Sequence, residues 1–140
     1  MGYTIEDLKP GMSESFTKTV SERDLQLFGE VSGDINPMHF DEEFAKKTPF
    51  KGRIAHGVLT ASYISTVLGM KMPGPGTIFM SLTTRFKAPV RIGDTVTAIC
   101  TVREVVPDKR RVLFDCVCRV GETTVIEGEA LVMAPAHPKN

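Results

Sequence analysis

Gly57-Val-Leu-Thr-Ala-Ser-Tyr-Ile-Ser-Thr-Val-Leu-Gly-Met70 contains no charged side chain. Residues that are apolar or small on every side mark a helix enclosed by other elements. The run is shorter than the ~20 apolar residues of a membrane span and carries the hydroxyls of Thr60, Ser62, Tyr63, Ser65 and Thr66, so it reads as the buried helix of a globular core. Hydroxyls placed there need partners, and a ligand or a catalytic group can supply one.

Downstream, after the Pro73-Gly74-Pro75-Gly76 break, the helical period gives way to strands at about 77–87, 94–106, 110–120 and 123–134. Val96, Ala98, Cys100 and Val102 alternate with Thr95, Thr97, Thr101 and Arg103, while Pro107-Asp108-Lys109 and Gly121-Glu122 are hairpin connections. Upstream, a strand is predicted over 12–20. Ser21 and Asp24 form a capping pair, with Val20 and Leu25 as a hydrophobic staple. A helix therefore starts at Glu22, presents Leu25, Phe28 and Val31 on one side, and ends at Gly33. Asp41 caps a short helix from Glu42 to Lys47, which Pro49 stops. The tail Pro135 to Asn140 reads as frayed.

These elements define the α+β class: one domain over residues 1–140, with an antiparallel five-stranded sheet wrapped around a long central helix. Such a sheet covers its helix on one side only. The open face and the free strand edges favour pairing with a second copy, so a homodimer is expected.

Lys and Arg (17) balance Asp and Glu (17), which advertises neither a nucleic-acid nor a membrane partner. Cys100, Cys116 and Cys118 lie within strand-like segments without metal-ligand spacing and read as reduced sheet residues. No secretory signal opens the sequence, so the default location is the cytoplasm.

Two loops hold the chemistry: Ser32-Gly33-Asp34-Ile35-Asn36-Pro37-Met38-His39 and Ile54-Ala55-His56-Gly57. Taken singly, Gly33-Asp34 and Asn36-Pro37 are common turn formers, and a lone His is more often structural than catalytic. Together they place an acid and an imidazole five residues apart on a loop stiffened by Pro37. The free backbone N–H groups opening an uncharged helix can then hold developing negative charge.

The segment from Phe28 to Asp41, with Ser32-Gly33-Asp34-Ile35-Asn36-Pro37-Met38-His39-Phe40-Asp41, followed by Ile54-Ala55-His56-Gly57, resembles the signature of the MaoC-like hydratase family. Phe86-Lys87-Ala88-Pro89-Val90 and Gly93-Asp94 extend the resemblance over nearly the whole chain. Val58 stands where many relatives have Met. The resemblance implies a hot-dog fold and hydration of trans-2-enoyl-CoA to (R)-3-hydroxyacyl-CoA, as in the short (R)-specific enoyl-CoA hydratases of polyhydroxyalkanoate metabolism. It also implies Asp34 and His39 as the catalytic pair, the backbone N–H of Gly57 as oxyanion donor and Ser65 as an active-site serine. Asn36 and His56 are supporting residues: Asn36 orients His39 or the water, and His56 organises the loop.

Hydration needs a base for water, an acid for Cα and a donor for the enolate-like oxygen. His39 is taken as base and Asp34 as acid, with the reverse assignment open. To serve as the acid, Asp34 should be desolvated by an apolar acyl tunnel. No metal or redox cofactor is called for, since CoA is part of the substrate. Two other functions share the fold. A hot-dog thioesterase directs water to the carbonyl carbon and commonly carries its acid on the central helix, where this sequence has none. A non-catalytic acyl-binding subunit would not need acid, base and oxyanion donor together.

Overall fold

The computed structural model describes residues 2–137. Its elements are β1 (Ser13–Thr19), α1 (Glu22–Ser32), α2 (Pro37–Phe40), α3 (Glu42–Ala45), α4 (Gly57–Thr66), β2 (Ile78–Phe86), β3 (Thr95–Val106), β4 (Arg111–Val120) and β5 (Thr123–Met133). The strands form one antiparallel sheet in the order β1-β3-β4-β5-β2. α4 lies against it, which is the hot-dog arrangement.

α1 begins at the expected capping box: Ser21 Oγ accepts from the Asp24 N–H at 3.0 Å, and Asp24 Oδ2 accepts from the Ser21 N–H at 2.9 Å. Val20 and Leu25 are fully buried as the staple requires. Gly33 ends the helix with φ 79°, a left-handed cap whose N–H donates to the Gly29 carbonyl. Val31 departs from expectation, for it is exposed rather than aligned with Leu25. Leu25 and Gly29 define the buried line, and Val31 stands two residues further on, about 200° round the helix. α2 was not legible in the sequence. It is a single turn with Pro37 in its first position, capped by Asn36 Oδ1 accepting from the Met38 N–H at 3.1 Å.

On its sheet side α4 buries Thr60, Ala61, Tyr63 and Ile64, and a π-turn over Val67–Lys71 continues the helix and buries Val67 and Leu68. These pack with Val96, Ala98, Cys100 and Val102 of β3 and Val112, Phe114, Cys116 and Cys118 of β4. Val58, Ser62 and Ser65 are exposed. The helix expected to be enclosed is thus enclosed on one side, because a single five-stranded layer reaches only half the circumference of a helix ~10 Å across.

The three cysteines are buried and free. Burial pushes the Cys118 thiol up to about 12, and the neighbouring Cys116 thiol raises that of Cys100, so both stay protonated and inert. The C-terminal stretch is held more firmly than expected: Pro135 O accepts from the Ile5 N–H at 2.8 Å, and the His137 ring lies 3.1 Å from Thr4 Oγ1. The rest of the predicted frayed tail, 138–140, lies outside the described residues. Among the described residues no helix is long and apolar enough to cross a membrane.

Candidate active site

The turn that follows α1 delivers Asp34, the single turn of α2 delivers His39, and the strap leading into α4 delivers His56 and Gly57. One ligand atom each from Asp34, His39 and His56 lies within 4.8 Å of the other two. The acid and the imidazole singled out by the sequence therefore share one small volume.

His39 is buried, and its Nδ1 is 2.8 Å from the Ile54 carbonyl. A carbonyl oxygen only accepts, so Nδ1 carries the proton and Nε2 keeps a lone pair. Burial holds the His39 imidazole below the ordinary histidine range. The charges of His56 and Arg53 push the same way, while the Ile54 bond and the Asp34 carboxylate oppose it. The balance favours the neutral imidazole, whose Nε2 lone pair can accept a proton.

His56 caps α4 and stacks on His39, with ring centroids 3.9 Å apart and planes at 27°. Its Nε2 donates to the backbone carbonyl of Asp34 at 2.9 Å, tying the acid's turn to the helix entrance. Phe28 and Phe40 pack on the same ring at centroid distances of 4.8 Å and 5.5 Å. Phe40 reaches it because residue 29 is glycine: a Cβ there would stand 3.0 Å from Phe40 Cζ. Asn36 supports His39 by capping the turn that carries it, not by a bond to the ring.

Asp34 is exposed, and its Oδ1 accepts only from the Asn36 N–H at 3.3 Å. The desolvation expected from an apolar tunnel is not supplied by one chain alone. Nor does the chain bring Ser65 to the cluster; it stands two turns beyond Gly57 on the open face of α4.

Gly57 is the first residue of α4, so its N–H has no carbonyl partner within the helix. It opens onto an apolar cleft of about 410 Å³ whose walls include Met38, Ile54, Val58, Phe86, Pro89 and Ile126. A Cβ at Gly57 would stand 2.7 Å from Phe86 Cε1, so glycine is what lets the Phe86 ring close over the helix entrance. Thr60 also lines the cleft with a buried hydroxyl that lacks a protein partner, a residue that sequence reasoning grouped with the core hydroxyls without distinguishing it.

Each imidazole of the cluster commits one nitrogen to the backbone, His39 Nδ1 to the Ile54 carbonyl and His56 Nε2 to the Asp34 carbonyl. A base with its lone pair free, a carboxyl within a water's reach and an unpaired amide at the mouth of an apolar cleft suit proton transfer beside a polarised carbonyl.

Residues 7–125 match the MaoC like domain. The chain belongs to the MaoC-like family. It is 55% identical over 135 residues to an (R)-specific enoyl-CoA hydratase of Rhodospirillum rubrum, covering 96% of this chain and 94% of that one. It is 49% identical to a 3-hydroxybutyryl-CoA dehydratase of Methylorubrum extorquens, over 93% of this chain and 83% of the relative. The solved structure of R-hydratase PhaJ1 from Pseudomonas aeruginosa, unliganded, superposes with a TM-score of 0.90 at 41% identity, covering 97% of this chain and 88% of that chain. MaoC-like membership and the hot-dog fold thus follow from sequence and architecture together.

Proposed function

We propose that this protein is an (R)-specific enoyl-CoA hydratase that adds water across the double bond of trans-2-enoyl-CoA to give the (R)-3-hydroxyacyl-CoA. The observation that carries the reading is the convergence of Asp34, His39 and the entrance of α4 on one volume. The named activities of the two bacterial relatives point to the same reaction in its two directions.

In this reading the thioester carbonyl accepts the Gly57 N–H, and the apolar cleft holds the acyl chain. His39 Nε2 takes a proton from water as the oxygen bonds to C3, and the electrons of the double bond pass to the carbonyl oxygen as an enolate. Asp34, or the water it shares with His39, delivers a proton to C2 as the carbonyl reforms. The imidazolium then returns its proton to the carboxylate, restoring the pair. Only water and the thioester are consumed, so we assign no cofactor. The working unit is a homodimer whose second copy covers the open face of α4 and the exposed Asp34. Three reduced, buried thiols fit a reducing compartment such as the cytoplasm.

The test is turnover of crotonyl-CoA. Loss of the conjugated absorbance without release of free CoA, with (R)-3-hydroxybutyryl-CoA as product, supports hydration. Release of free CoA would make the protein a thioesterase, and tight binding without turnover a non-catalytic acyl-binding subunit.

A further inference from the structure

Arg53 occupies the strap between α3 and α4, and all three arms of its guanidinium are engaged. Nη1 and Nη2 donate to Glu22 Oε1 and Oε2 at 2.7 Å and 2.8 Å, a two-pronged pair with the first turn of α1. Nε donates to the backbone carbonyl of His39 at 2.7 Å. One residue later the Ile54 carbonyl accepts the His39 Nδ1–H. The strap itself is held from below, where Arg91 donates to the carbonyls of Phe50 and Arg53 at 2.6 Å and 3.4 Å. The strap thus grips His39 at both its main chain and its ring, and its anchor is α1, the helix whose end carries Asp34.

We infer that Arg53 is a positioning residue for the proposed hydration, a clamp that fixes the His39 turn against α1 so that Nδ1–H stays on Ile54 and Nε2 stays aimed at the reacting water. The inference rests on the reading of His39 as base. A planar fork matched to a carboxylate is a device lysine cannot copy. Because bonds at fixed angles set the imidazole's place, the clamp acts on turnover rather than on binding, since an ångström of misplacement costs up to about 10² in rate.

The charged and titratable groups facing His39 are Asp34 from the turn after α1, His56 at the start of α4, and Arg53 itself. Losing the Arg53 charge and admitting water both move the His39 titration to higher pH. The experiment compares R53M, R53K and E22Q with the parent protein by crotonyl-CoA kinetics and by NMR titration of the His39 ring. The control is R103M, which removes an ion pair with Asp115 and Glu129 on the exposed outer face of the sheet. R53M is expected to lower kcat by about 10- to 100-fold with KM within about twofold, and to raise the His39 titration midpoint. R53K should keep the midpoint and recover kcat only partly. E22Q, which leaves Arg53 in place without its ionic anchor, should fall between them, and R103M should match the parent. Unchanged kcat and an unchanged His39 midpoint in folded R53M and E22Q would overturn the inference. A parent protein without hydratase activity whose His39 midpoint still rises in R53M would keep the clamp and sink the functional reading instead.

Discussion

Asp34→Asn and His39→Gln each remove a proton-handling group while keeping side-chain volume. Positioned acid–base catalysis is worth roughly 10² to 10⁴ in rate, so each variant should lose at least about 10² in kcat for crotonyl-CoA while its circular dichroism matches the parent. The His39 ring also sets the pH response. Its depressed titration, caused first by burial, keeps it neutral down to a pH below the ordinary 6.5, so the acid limb of kcat/KM should lie below pH 6.5. The same depression has a stability consequence with a definite sign. The folded state binds fewer protons than the unfolded one, so this contribution is complete above the ordinary value and is lost as pH falls through the depressed one. Denaturant midpoints measured from pH 7 downward should drop in that window for the parent and drop less for His39→Gln. The nearness of Asp34 and His39 to the entrance of α4 was legible because both loops stand close together in the chain, while the roles proposed for them came from the family resemblance. Arg53 was not legible, because its partners are a carbonyl and a residue 31 positions away, which no local spacing reports.

At the level of elements, the strands of the sheet centre were readable because each has one buried face: Val96, Ala98, Cys100 and Val102 of β3 are all within 2% of full burial. α2 was invisible, since one turn of helix carries no period and Asn36-Pro37 reads equally well as a bend. β2 depends on a feature no pattern announces. Gly128 of β5 pairs with Thr84, and a Cβ at Gly128 would fall 1.9 Å from the Thr83 backbone carbonyl. Backbone cannot swing aside as a side chain can, so Gly128→Ala must push β2 away from β5. Overpacking of this kind costs about 1 to 3 kcal/mol or more, and the expected result is a clear fall in denaturation midpoint. β2 also ends in Phe86, which walls the cleft, so activity should decline in step with stability. A midpoint equal to the parent's would show that the two strands are not pressed together as described.

For the whole molecule, the surface is what one chain leaves unfinished. It exposes 8046 Å², where a 15.4 kDa monomer should expose about 7,200 Å². The exposed apolar residues are not spread at random. β2 is an edge strand with Ile78, Phe79, Met80, Leu82 and Phe86 all exposed, and Val58 and Met70 stand bare on the open side of the central helix and its π-turn. An edge this long with five exposed apolar residues is an invitation to pair, and a second copy related by a twofold axis would satisfy edge and helix together. The proposed dimer would also cover the exposed Asp34, as the acid role proposed for it requires. Sedimentation should therefore give twice 15.4 kDa. Ile78→Asp and Met70→Asp lie outside the Asp34, His39 and His56 cluster and on positions exposed in the single chain, where a substitution normally shifts stability by no more than about 0.5 kcal/mol. If these positions are covered by a second copy, a charge there should split the dimer, lower the midpoint well beyond that figure and reduce turnover with Asp34 and His39 intact. A parent protein that sediments at 15.4 kDa with full activity would show instead that the open face is complete as it stands.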